Sequence, residues 1–305
     1  MKERSIQPTK PLLLDGGMGR ELWHRGVEVP ATIWSANGLI AAPDVVRDIH
    51  RDYITSGADI ITTNTYSVVR GALASEGIED RFEELTTLAC QLATDARNAA
   101  SRNVLIAGSL PPLQESYRPD LVGELDAMLP LYSEQVSLMA PWVDVFLCET
   151  MSSIGESLAA ATAARETGKP VWVSWTLDDH NPTKLKSGEP IADAVTSLAH
   201  LNIAAILSNC CMPETITAAM SLLVETSMPV IGGYANTFTP PPPDWTLEEE
   251  GVLGLRDDLD PASYAGFASD WLDAGASIIG GCCGTRPAHI ATLHQLLVDR
   301  GQRSA

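Results

Sequence analysis

Short, nearly continuous apolar runs punctuate the chain, and between them apolar positions recur at helical spacing. The runs lie at 12–17, 59–66, 104–110, 143–150, 171–177, 204–210, 229–236 and 277–283. They show little polar alternation, which predicts strands buried on both faces of a parallel sheet. Segments 82–100, 125–140, 154–167 and 190–200 have the 3.6-residue period of helices. Eight alternations of strand and helix predict an α/β protein of the (β/α)8 TIM-barrel type, with residues 1–305 forming one domain. A doubly wound open sheet is the competing architecture. It would leave the first and eighth strands, and with them Asp15 and Cys282, far apart.

Most runs end in polar, glycine or cysteine residues. These are Asp15-Gly16-Gly17, Thr63-Asn64-Thr65-Tyr66, Gly108-Ser109, Cys148-Glu149-Thr150, Asn209-Cys210 and Gly281-Cys282-Cys283. In a barrel all strand C-termini lie on one face, where sites are built. Segment 237–260 breaks the rhythm with Pro240-Pro241-Pro242-Pro243. Four prolines fit neither a helix nor a central strand. The segment reads as a long loop after the seventh strand, on the mouth of the barrel, either a binding loop or a stiff spacer.

Charge narrows the partners. There are 39 acidic against 20 basic residues, a net charge of −19. Such a surface disfavours nucleic acid and anionic membranes. No window approaches the ~20 apolar residues of a spanning helix, and Leu12-Leu13-Leu14 is too short for a signal peptide. The expectation is a soluble, cytoplasmic protein of undetermined oligomeric state.

Six cysteines are too few for a disulfide scaffold and point to metal binding or catalysis. Cys90 and Cys148 lie within a helical stretch and a strand and read as core. Cys282-Cys283 is bracketed by Gly280, Gly281 and Gly284. Neighbouring strand residues point to opposite faces, so both can reach one ligand only where glycine lets the backbone bend. Cys210-Cys211 ends the sixth run, and periodicity does not choose between them. Three thiolates on one Zn²⁺ leave a fourth position open, and a thiol entering there is held as thiolate. Alkylation of sulfur is the chemistry that follows. Thr285 is the expected cap of the last helix, with Pro287 in its first turn.

The ordered set Asp15-Gly16-Gly17-Met18-Gly19-Arg20-Glu21-Leu22, Thr63-Asn64-Thr65-Tyr66, Gly108-Ser109-Leu110, Glu149-Thr150, Asn209-Cys210 and Gly280-Gly281-Cys282-Cys283-Gly284-Thr285-Arg286-Pro287-Ala288-His289-Ile290 resembles the homocysteine S-methyltransferase family over nearly the whole chain. The resemblance implies zinc on Cys210, Cys282 and Cys283, with Cys211 a neighbour. It implies homocysteine as the thiol activated there and methionine as product. It also implies a substrate site from Asp15, Gly16, Gly17, Thr63, Tyr66, Ser109, Glu149 and Asn209. Asp15 and Glu149 suit the amino-acid ammonium. The backbone at Gly16-Gly17 and the Ser109 or Thr63 hydroxyls suit its carboxylate.

The methyl donor is expected to be a small cation, S-methylmethionine first and betaine second, held by cation–π attraction. Trp34, Tyr66, Trp175, Tyr234 and Trp245 are the aromatic candidates. Segments 108–120, 175–179 and 232–238 depart from better-known relatives and bear on the donor side. No cobalamin or folate module is expected, because the barrel uses the whole chain. The alternatives are another thiol or a selenol as acceptor, and a non-catalytic zinc-binding barrel. The latter needs a fourth protein ligand, for which His289 and Cys211 are poorly placed. His289 is expected on the solvated or packed face of the last helix. A Cys282–Cys283 disulfide would close a strained ring.

Overall fold

The computed structural model describes residues 10–226, 228–239 and 253–304. The four prolines and Trp245 lie outside the described residues. In chain order the strands are β1 (Leu12–Leu13), β2 (Ile60–Thr62), β3 (Leu105–Leu110), β4 (Val145–Met151), β5 (Val171–Trp175), β6 (Leu177–Asp178), β7 (Asn181–Leu185), β8 (Ala205–Asn209), β9 (Ile231–Tyr234) and β10 (Ile278–Ile279). Eight of them form a parallel sheet in the order β1-β10-β9-β8-β5-β4-β3-β2. A parallel bridge between Leu14 and Ile60 brings the two ends together. The Asp59 N–H donates to Leu13 O at 2.7 Å, and the Asp15 N–H to Ile60 O at 3.0 Å. The sheet is a TIM barrel, and the open-sheet alternative fails on this closure.

Each predicted run coincides with one barrel strand, β4 running one residue past its run to Met151. The fifth run needs correction at its end. β5 stops at Trp175, and Leu177 opens the antiparallel hairpin β6–β7, which the apolar pattern did not reveal. The hairpin supports its neighbour. Asp179 Oδ1 accepts from the Met212 N–H at 2.9 Å and from the Thr215 hydroxyl at 2.7 Å. Those groups sit at the start of helix Pro213–Glu225, so the hairpin caps that helix.

Alternation along the strands sorts the core into two layers. Val145 and Leu147 fill the barrel with Leu14, Ile60, Ala107, Trp172, Ala205, Leu207 and Ile278. Phe146 and Cys148 point outward and pack under the helices. Both faces are dry, which is why the runs read as continuously apolar. Cys90 and Cys148 are fully buried in the outer layer, as expected for core.

The end of the chain departs from expectation at Thr285. The residue flanking helix Pro287–Asp299 is Arg286, whose N–H donates to His289 Nδ1 at 3.2 Å. Thr285 turns back instead. Its hydroxyl donates to Cys282 O at 2.7 Å and accepts from the Gly17 N–H at 3.3 Å. The side chain is spent on the turn that carries the cysteine pair and cannot cap the helix. His289 is packed, with Nε2 on Leu259 O at 3.2 Å. The described ends of segment 237–260 pair with each other through Phe238 and Leu255. Among the described residues no helix is long and apolar enough to cross a membrane.

Candidate active site

Three sulfurs meet at the C-terminal mouth of the barrel. The Sγ atoms of Cys210, Cys282 and Cys283 lie within 4.8 Å of one another, and Cys210 and Cys283 are 3.6 Å apart. Backbone geometry selects these three. Cys210, just past β8, has φ 53°, in the left-handed region that a side chain with a Cβ rarely occupies. This turn aims Cys210 at the cluster. Cys211 lies in the outer core, 1% exposed.

At the other corner Gly284 has φ 83°, which bends the chain directly after the cysteine pair. The pair is fixed from three sides. The Cys282 N–H donates to Ala235 O at 2.9 Å, Cys283 O accepts from the Thr237 N–H at 2.9 Å, and the Gly281 N–H donates to Asp15 O at 3.0 Å. Gly17 presses on the same turn. A Cβ there would stand 2.7 Å from Cys282 O. The Tyr53 hydroxyl holds Gly17 O at 2.8 Å, and the Tyr264 hydroxyl holds Gly280 O at 2.8 Å.

Hydrogen bonds from Cys282 and Cys283, with a third from the Tyr117 hydroxyl at 2.9 Å, hold the Cys210 thiol well below its ordinary range. Cys282 and Cys283 are pushed up, first by their hydrogen bonds to Cys210. Three sulfurs this close form a donor set that a thiophilic metal ion would complete. Asn209 braces the cluster from below. Its Nδ2 lies 3.8 Å from Cys282 Sγ, and its Oδ1 accepts from the Thr150 N–H at 2.9 Å and the Ser174 hydroxyl at 2.7 Å.

Two cavities flank the sulfurs and share Trp34, Tyr66, Cys210 and Cys283 in their walls. The smaller, about 100 Å³, is lined by Asp15, Gly16, Gly17, Thr63 and Glu149. Burial pushes both carboxyls up to about 7. The Asp15 oxygens accept from the Thr62 N–H and the Thr62 hydroxyl, both at 2.8 Å. Glu149 accepts from the Ser109 hydroxyl on one oxygen and from the Tyr234 hydroxyl, at 3.2 Å, on the other. Ser109 is fully buried behind Glu149 and does not reach the cavity wall.

The larger cavity, about 510 Å³, has an aromatic wall of Trp34, Tyr66, Tyr117 and Phe238, with Leu113, Glu115, Arg118 and Leu253 nearby. Two expected donor aromatics are not in it. Trp175 is buried between sheet and helices, and Tyr234 points into the small cavity onto Glu149. β5 turns Trp175 into the outer core, and β9 turns Tyr234 toward the smaller cavity. Tyr117 and Phe238 were missed by sequence reasoning, because nothing local marks a loop aromatic as facing a distant cysteine. Phe238 does sit at the foot of the proline-rich segment, a usable signal.

Residues 12–297 match the family model for homocysteine S-methyltransferase. The homocysteine S-methyltransferase of Escherichia coli (strain K12) is 30% identical over 302 residues, covering 92% of this chain and 94% of the relative. The selenocysteine Se-methyltransferase of Brassica oleracea var. italica is 26% identical over 331 residues, covering 98% and 92%. The crystal structure of the homocysteine methyltransferase MmuM from Escherichia coli, in its metallated form, superposes with a TM-score of 0.81 at 28% identity, covering 95% of this chain and 98% of that one. The chain belongs to the homocysteine S-methyltransferase family. It is a methyltransferase.

Proposed function

We propose that this protein transfers a methyl group from a small cationic donor to the thiol of homocysteine, giving methionine, with Zn²⁺ held by Cys210, Cys282 and Cys283. The observation that carries the reading is the meeting of two cavities at three sulfurs. One cavity is small and lined by acids, and the other is larger and aromatic. Three thiol ligands with no fourth among the described residues fit an open zinc site. When bound, zinc would hold the acceptor thiol as a thiolate at neutral pH.

The protein's own residues then do the positioning. Asp15 and Glu149 take the homocysteine ammonium, and Ser109 and Tyr234 hold Glu149 in place for it. The backbone at Gly16-Gly17 and the Thr63 hydroxyl suit the carboxylate. Trp34, Tyr66, Tyr117 and Phe238 line the larger cavity with the aromatic surface that holds a cation. The acceptor sulfur's electron pair attacks the methyl carbon. The bond from that carbon to the donor's cationic sulfur breaks, and its electron pair stays with the donor as a neutral thioether. A cavity of about 510 Å³ is roomier than a trimethylammonium group needs and carries Glu115 and Arg118, which favours an amino-acid sulfonium such as S-methylmethionine over betaine.

A selenol acceptor is the second reading, supported by similarity to a selenocysteine Se-methyltransferase. Thiols this close stay reduced in a cytoplasmic setting, where we place the protein.

The test offers zinc-loaded protein homocysteine with S-methylmethionine, betaine, dimethylsulfoniopropionate or S-adenosylmethionine, each separately. Methionine formed fastest with S-methylmethionine is the expected result. No methionine from any donor, at one zinc per chain, would sink the homocysteine reading. Turnover of selenocysteine instead would select the second.

A further inference from the structure

The segment after β3 reaches into the site through two consecutive side chains. Ser116 Oγ lies 2.8 Å from the Tyr66 hydroxyl, and the Tyr117 hydroxyl donates to Cys210 Sγ at 2.9 Å, across 93 residues of sequence. Ser116 and Tyr117 lie in a turn. Here both face the site, because Tyr117 adopts φ 66°. A bulky aromatic in the left-handed region is strained, and such strain is kept where the surroundings impose it, often at functional sites. The segment is also anchored behind, where the Tyr132 hydroxyl donates to Pro111 O at 2.9 Å.

We propose that Tyr117 is a positioning residue for the metal centre. Its hydroxyl orients the Cys210 sulfur, and its ring forms the partition between the thiol cluster and the larger cavity. The inference rests on the metal and methyl-transfer reading above, yet is testable apart from it. A hydrogen bond to a ligating sulfur sets its direction and electron donation. With the hydroxyl on Cys210, the ring stands in the wall that a donor must pass, so methyl approach is confined to one side. The same side chain would thereby couple metal geometry to donor orientation.

The test compares Tyr117→Phe with Ser116→Ala, both loaded with Co²⁺ alone and without substrate. Removing the hydroxyl makes Cys210 a stronger donor. The sulfur-to-cobalt charge-transfer band should therefore move to longer wavelength in Tyr117→Phe and stay in place in Ser116→Ala, which loosens the loop but keeps the hydroxyl. With zinc and the two substrates, kcat of Tyr117→Phe should fall about tenfold or more, with both KM values within about twofold. A Tyr117→Phe band coincident with the unmodified protein's, at equal cobalt content, would overturn the proposal. Equal band shifts in the two variants would overturn it too, by tracing the effect to loop disorder. The spectrum needs no substrate, so failure of the homocysteine assay would leave this result standing and sink only the reading of the reaction.

Discussion

Cys210 Sγ lies 3.6 Å from Cys283 Sγ although they are 73 positions apart in the chain, with β9 and β10 between them. The cluster is built by the barrel and shaped by two left-handed corners, at Cys210 and Gly284. Its loss should therefore cost metal and spare the fold. Cys283→Ala is expected to bind less than about a fifth of an equivalent of zinc and lose methyl transfer. Its metal-free unfolding free energy should stay within about 1 kcal/mol of the parent. Metal analysis and denaturant unfolding check this, and full zinc stoichiometry would remove Cys283 from the ligand set.

Glu149 meets two hydroxyls and lines the small cavity. Glu149→Gln keeps the volume and removes the charge. A charged hydrogen bond is worth about 1.5–3 kcal/mol, so homocysteine affinity should fall about ten- to hundredfold with zinc content unchanged. Calorimetric titration decides, and an unaltered affinity would exclude an ammonium contact.

The acidity of this cavity gives a pH signature. Burial raises Asp15 and Glu149 to about 7, so below that pH they are protonated in the free protein. An ammonium binds the ionised form, and its apparent affinity should weaken as pH falls from 8 to 6. Methionine is the suitable probe, since its thioether does not titrate. The free protein follows the opposite trend from these groups. A carboxyl raised on folding favours the folded state below its unfolded value near 4, and that stability is lost as pH rises through about 7. Methionine affinity that is flat over this range would refute the prediction.

His50 acts in the other direction. It is fully buried, neither ring nitrogen has a hydrogen-bond partner among the described residues, and burial lowers it from 6.5 to about 4. Its neutral form is the one folded. Stability from this group is full above 6.5 and lost as pH falls toward 4, by about 3 kcal/mol at the lower limit. His50→Leu should flatten the acid side of the stability curve measured by urea unfolding. An unchanged acid limb would show that His50 is not its source.

Asp179 offers a contrast, since it lines neither cavity although it holds the Met212 N–H two residues past Cys210. It caps helix Pro213–Glu225 from the hairpin. Asp179→Ala should cost about 1–2 kcal/mol of stability and leave kcat and both KM values unchanged. A kinetic effect without a stability effect would mean that the hairpin touches the reaction.

Much of this molecule was legible in the chain. Eight apolar runs marked eight barrel strands, because a strand buried on both faces must be apolar on both. The polar and cysteine tails of those runs marked the mouth, because every parallel strand points its C-terminus the same way. Asp15, Glu149 and the three cysteines meet there as the order of strands requires. The β6–β7 hairpin was not legible because its strand Asn181–Leu185 alternates exposed and half-buried residues, with only Leu185 buried, and carries no apolar pattern.

What the sequence determined by itself was the architecture and the kind of chemistry at the mouth. Both follow from local periodicity and residue type. The retreat of Ser109 behind Glu149, the absence of Trp175 from the larger cavity and the reach of Tyr117 to Cys210 were decided only by tertiary structure, which also gives the physical reason, a left-handed turn, for Cys210 rather than Cys211. Each depends on a single backbone turn or on which side of a strand a ring leaves. A left-handed φ at Cys210 or Tyr117 is imposed by distant packing, against the local preference of both residues. Alternation along one segment carries no record of it.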